Sequence, residues 1–274
     1  MPPERAKVIV LVKAAPVLTS DLEETMCVAG ARLRGDRAEW IRLHPVPFRD
    51  LADVARFAKY QELEVELIPP KSDRRPESWT PVSGTIQPRA NLGVERAWAD
   101  RRELVSKLYE ANMCDLVEAN RTGSGPGTPS LALVRPVEPP QLLISQRDSD
   151  QIAKWQRRAE GAKNRVSLFG GPTTSKPDFT VVPWRFSYRY RCARSGCNSH
   201  TQTIVDWEVV VLWRRVRHRP DWQEQMRSRF TQQMWQGRST VLFVGNMEEH
   251  PNSFLVLGVF WPPATEFQPQ LHFS

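Results

Sequence analysis

The chain has 274 residues, 40% of them hydrophobic and 25% charged, with a net charge of +7 and a pI near 9.5. That length carries two small lobes or one larger domain with its own core, and no apolar run approaches the roughly 18 residues that cross a bilayer as a helix, so no membrane partner is expected. MPPERAKVIVLVKAAP at the N-terminus has a short apolar run without the cleavage pattern of an export signal. The expected compartment is therefore the cytoplasm, and the four cysteines are expected as thiols or ligands rather than disulfides.

In chain order, Lys7 to Val12 reads as a buried strand, and Thr25 to Leu33 as a second, with Gly30 where a bend or bulge would sit. Gly35-Asp36 marks a hairpin turn into Glu39 to His44, which Pro45 and Pro47 end. Asp50 to Lys59 suits one short helix, and Glu62 to Ile68 alternates as a half-exposed strand. Lys71 to Thr80 is a polar loop carrying Arg74, Arg75 and Trp79. From Arg96 to about Asn120 the apolar period becomes helical, which predicts one helix or a broken pair. Thr122 to Pro129 (TGSGPGTP) is linker-like, and LALVRPV and QLLISQ restart strand composition. Asp148 to Lys176 is polar and reads as a long loop with one helical turn near Lys154. Phe179 to Tyr190 and Thr203 to Trp213 read as strands. Asp221 to about Trp235 reads as a helix whose Trp222, Met226, Phe230 and Met234 form a core stripe. Thr240 to Gly245 and Ser253 to Phe260 complete the strands.

This order predicts a mainly β fold with inserted helices (α+β), built as two OB-like small barrels; a sandwich or a plain α+β domain would give the same order. The expected lobes are residues 1–128, including the helical segment 96–120, and residues 129–274, including a Cys/His turn and the helix 221–235.

The densest chemistry lies in WRFSYRYRCARSGCNSHTQTIVDWEVVVLWRRVRHR. Cys192, Cys197, His200 and Asp206 follow the spacing C-x4-C-x2-H-x5-D. Thiolates and imidazole are zinc donors, and Gly196 frees the turn between the cysteines. A structural zinc with Asp206 as fourth ligand is one expectation; Cys27, Cys114, His218 and His250 are the alternatives for that position, and ordinary buried thiols are the plain reading. Trp184, Phe186, Tyr188 and Tyr190 alternate with Arg185, Arg189 and Arg191. Period two puts the rings on one strand face and the arginines on the other. The rings either pack a core or form a stacking platform for bases.

Arg194, Arg214, Arg215 and Arg217 lie nearby in sequence, and Lys13, Arg42, Arg49, Arg74 and Arg75 would extend a positive surface from the N-terminal half. Asp206 and Glu208, two apart on a strand, would share a face and could hold Mg²⁺ for phosphodiester cleavage, or would simply anchor arginines. No P-loop, G-x-S-x-G, H-E-x-x-H or zinc-deaminase motif is present.

KAAPVLTSDLEETMCVAG with EWIRLHPVPFR, RRPESW, the F-x-Y-x-Y-x-C block through DWE, and LFVGNMEEHPNSFLVLGVF together resemble a prokaryotic family of dual-OB-domain proteins associated with immunity against mobile elements. Its signature positions here are Lys13, Pro16, Glu24, Cys27, Arg42, Pro45, Arg49, Arg75, Pro76, Glu77, Ser78, Cys192, Cys197, His200, Asp206, Trp207, Glu208, Gly245 and Asn246; Ala15 departs from the pattern. The resemblance implies two OB-like barrels and nucleic-acid recognition within a multi-gene defence system. The expected activity is phosphate-backbone binding without catalysis. A metal-dependent enzyme on nucleic acid, or a scaffold for an acidic or same-system protein partner, is the alternative.

Overall fold

The computed structural model describes residues 2–18, 24–47, 51, 53–122, 127–164 and 179–264. β1 (Glu4–Lys13) is apolar on both faces, and the structure shows why. Val8 and Val10 point into an N-terminal core, whereas Ile9 and Leu11 point the other way into a second core shared with the C-terminal half. β1 pairs antiparallel with β3 (Glu24–Arg34) on one side and with β5 (Gln61–Ile68) on the other. β3 pairs with β4 (Arg37–Val46) across the Gly35-Asp36 turn. β6 (Ser78–Pro81) closes the ring, parallel to β4 at Arg42 and Leu43 and antiparallel to β5 at Leu67 and Ile68. Five strands thus form a near-closed ring, with β2 (Val17–Leu18) and β7 (Gln87–Asn91) attached to β3 and β5.

The irregularity expected at Gly30 lies across from it on β1: Val10 pairs with Gly30 and Val12 with Ala29, so the register slips between them, as it does again between Met26 and Val28. Gly30 marks a close approach, since a Cβ there would lie 2.3 Å from the Ile9 carbonyl oxygen.

The helical segment is a broken pair, α1 (Glu95–Ser106) and α2 (Met113–Thr122). β8 (Leu131–Val134) joins β12 (Val241–Asn246) and β13 (Phe254–Phe260) in one three-stranded sheet; β9 (Gln141–Gln146), β10 (Trp184–Tyr190) and β11 (His200–Thr203) form another. A bridge between Ile204 and Val256 connects the two sheets. Met113, Leu116, Phe186, Tyr188, Val209, Trp213, Met226 and Phe230 fill the C-terminal core. The class is mixed α+β, as the order of elements predicts.

Several expected elements differ; the loop expected over Lys71 to Thr80 ends in β6, and β4 runs on through Pro45 to Val46. The loop expected from Asp148 contains a 16-residue helix, α3 (Ser149–Asn164); residues 165–178 lie outside the described set. The strand expected over Thr203 to Trp213 breaks into the end of β11 and α4 (Trp207–Val216), because Asp206 Oδ1 accepts the Glu208 backbone N–H at 3.0 Å and starts a helix. Val209, Trp213 and Val216 then fall on one buried helical stripe. The helix expected over Asp50 to Lys59 is only a 3-10 turn at Asp53–Ala55 among the described residues. The helix expected from Asp221 is α5 (Trp222–Arg227) continued by a π-helical turn over Ser228–Gln233.

Candidate metal centre

Cys114, Cys192, Cys197 and His200 place one ligand atom each within 4.8 Å of one another. Cys114 sits in the first turn of α2, anchored by buried Met113 and Leu116. Cys192 lies two residues past the end of β10, is 3% exposed, and is held by a bridge to Pro136. The chain then reverses through Gly196 and Ser199, both at positive φ (75° and 86°), which returns Cys197 and the first residue of β11, His200, to the same point. Arg194 ties the turn to α2 through Asp115 at 3.0 Å and Glu118 at 2.6 Å.

The spacing tests the donor set. His200 Nε2 lies 3.3 Å from the sulfurs of Cys114 and Cys197 and 3.7 Å from that of Cys192, and the Cys192 and Cys114 sulfurs are 3.6 Å apart. A tetrahedron with Zn–S near 2.3 Å and Zn–N near 2.0 Å has edges of roughly 3.5–3.8 Å. The four donors therefore fit one small cation. Burial and the two neighbouring sulfurs push the Cys114 thiol up to about 12. Burial also lowers the pKa of His200, keeping the imidazole in its neutral, ligating form. A central cation would relieve the crowding that holds the Cys114 thiol protonated. Burial raises the Cys197 thiol, but hydrogen bonds from the Cys192 and Ser199 backbone already bring it below its ordinary range.

Of the ligands expected from sequence, Cys192, Cys197 and His200 come together. Asp206 does not join them, and its place is taken by Cys114, one of the four alternatives. Asp206 is 2% exposed and accepts Lys59 Nζ at 2.9 and 2.8 Å on its two oxygens. Lys59 also meets Glu208 at 2.9 Å. Burial alone would lower the Lys59 ammonium pKa, but Asp206 and Glu208 push it well above its ordinary range. Glu208 is not placed on a common strand face with Asp206, since it lies in the first turn of α4.

The expected arginine surface is divided. Arg42 is 2% exposed and donates to Ser78 Oγ at 3.1 Å and Ser130 Oγ at 2.9 Å. Ser130 in turn donates its N–H and Oγ–H to the two oxygens of Glu77, at 2.9 and 2.6 Å. Arg75 grips Asp73 and donates to the Asn246 carbonyl at 2.6 Å. Signature residues Arg42, Arg75, Glu77, Ser78, Asp206 and Asn246, with Lys59 and Ser130, form a polar seam between the halves. Lys13 donates to the Phe57 carbonyl at 3.0 Å, Arg74 is exposed, and Arg49 lies outside the described residues.

On β10, Phe186, Tyr188 and Tyr190 are buried in the core and Trp184 packs on Trp222 at 5.1 Å between ring centroids. The opposite face exposes Arg185 and Arg189. Arg191 lies 3.6 Å from Glu138. Arg214, Arg215 and Arg217 are exposed on α4 and its C-cap, with Arg217 over the Trp213 ring at 5.3 Å. Lys59, Ser130 and Asn120 escape a sequence reading because their partners lie far away in the chain.

A family model described as domain of unknown function DUF8757 matches residues 109–273, more than half of the chain. The chain belongs to that family. A second model, domain of unknown function DUF8758, matches residues 4–107. No curated protein matches the sequence. All four residues of the candidate metal centre lie in the DUF8757 region, and the polar seam joins that region to the DUF8758 region. No helix among the described residues is long and apolar enough to cross a membrane.

Proposed function

We propose that the protein is a non-catalytic nucleic-acid-binding module with a structural zinc, built on OB-like lobes and working, as its family resemblance implies, in a defence system against mobile elements. One observation carries the binding function. Arg185 and Arg189 project from the outer face of β10, and Arg214 and Arg215 from α4, with no carboxylate at salt-bridge distance among the described residues. Guanidinium groups left unpaired on a basic protein are suited to phosphate. The five-strand ring supports the OB-like assignment: in it the first strand pairs with both the second and the fourth, and the third with the fifth. Three thiolates and an imidazole fill a tetrahedron without an open position, which supports a structural rather than catalytic metal. Zinc would clip α2 to the β10–β11 turn. The enzymatic alternative is weakened because Lys59 holds both Asp206 and Glu208.

The test is fluorescence anisotropy with labelled single-stranded and duplex oligonucleotides at two salt concentrations. Wild type should bind at low salt and lose affinity steeply as salt rises. Arg185→Ala with Arg189→Ala should reduce the salt slope by roughly 0.7–0.9 for each phosphate contact removed. Absence of low-salt binding by wild type would overturn the proposal.

A further inference from the structure

A row of rings and guanidinium groups crosses the junction of the halves, away from β10. Tyr60 precedes β5, Trp98 lies in α1, and Trp261 follows β13. Arg101 sits 4.0 Å above the Tyr60 ring and 5.1 Å above Trp98. Trp98 meets Trp261 at 5.6 Å between centroids. Arg229 and Arg238 lie over the Trp261 ring at 4.7 and 4.9 Å. Both indoles and all three arginines are partly exposed.

Two features separate this row from ordinary packing. Arg101, Arg229 and Arg238 have no carboxylate at salt-bridge distance among the described residues; Glu208, which feels the Arg229 charge, is held by Lys59. The backbone that sets Trp98 in place is strained. Arg96, Ala97 and Trp98 have φ of 48°, 54° and 68°, a left-handed turn made without glycine and unfavourable for each L side chain. Arg102 Nε donates to the Ala97 carbonyl at 2.8 Å and fastens that turn. Such strain concentrates where a ligand is gripped.

We infer that the row formed by Trp98, Trp261, Arg101, Arg229 and Arg238, backed by the buried ring of Tyr60, binds single-stranded nucleic acid, with unstacked bases lying on the exposed parts of the two indoles and on the guanidinium planes and phosphates taken by the N–H forks. This rests on the proposed nucleic-acid function and gives it a strand type. A duplex hides its base faces, so only a single strand uses both parts of the row. An acidic peptide would use the charges but not the rings.

The experiment titrates full-length zinc-loaded protein with dT and rU oligomers, a duplex and polyglutamate, reading anisotropy and tryptophan quenching. Arg229→Gln with Arg238→Gln should weaken single-strand binding by roughly tenfold or more and leave the duplex affinity contributed by β10 and α4 nearly unchanged. Trp98→Phe and Trp261→Phe, which conserve a ring, should each remove part of the quenching. Unaltered zinc content and thermal midpoint would confirm folding of each variant. Wild-type single-strand affinity in the arginine variant, or polyglutamate binding equal to that of the oligomers, overturns this inference while leaving the β10 proposal intact. Loss of all wild-type binding overturns both.

Discussion

Lys59 Nζ lies 2.9 and 2.8 Å from the two oxygens of Asp206, although 147 residues separate them in the chain. The pair pins the DUF8758 half to the N-terminus of α4. Lys59→Met would leave the buried Asp206 carboxylate without its cation, and should cost about 3–5 kcal/mol in urea unfolding. Asp206→Asn should cost less, because Glu208 remains 2.9 Å from the ammonium. Equal effects of the two substitutions would contradict this geometry.

Elemental analysis of protein purified without a histidine tag should give one zinc per chain. Cys114→Ser should lose it, as should Cys192→Ser, whereas Asp206→Asn should keep it. Because metal binding energy is also folding energy, a loss of several kcal/mol should lower the melting temperature on chelation by on the order of 10 °C. Full zinc retention by Cys114→Ser would remove Cys114 from the site.

Gly30→Ala should destabilise the N-terminal ring by about 1–3 kcal/mol. The added methyl would meet the Ile9 carbonyl oxygen at 2.3 Å, and that oxygen belongs to a strand held on both sides. Chemical denaturation reads this, and a neutral result would show that β1 and β3 shift apart.

Asp73 sets an acid dependence. Burial would raise its pKa, but hydrogen bonds from Arg75 and Ser78 bring it down from 3.8 to about 2. A depressed carboxylate stabilises the fold above its unfolded pKa, and that contribution is lost as pH falls through the folded value. The extra stability of wild type over Asp73→Asn should therefore be constant above about pH 4 and vanish toward pH 2. Thermal midpoints across that range measure it.

Much of the fold was legible because period-two alternation and turn residues are local signals, as in Glu62 to Ile68 and Gly35-Asp36. Thr203 to Trp213 reads as a strand because Val209, Val210 and Val211 favour strands on propensity alone. The signal that decides it is the cap: an aspartate followed by apolar residues spaced as Val209, Trp213 and Val216. α3 was hidden by its polarity, with Ile152 and Trp155 the few apolar residues of its early turns. Three of the four candidate ligands sit within nine residues of sequence and are visible there. Cys114 could only be one alternative among several, because its approach depends on how α2 packs. The arginines misled in the opposite way. Sequence shows their charge but not that Arg42 and Arg75 are consumed by partners inside the fold, or Arg194 by Glu118 on its surface.

The seam has a consequence for how such genes are cut and recombined. A fragment carrying only residues 109–273 would bring Ser130, Asp206 and Asn246 to an outside shaped for Glu77, Lys59 and Arg75. A transplanted half would need a new neighbour already bearing that acid, that ammonium and that guanidinium at matching places. The two modules should therefore travel through genomes as a couple.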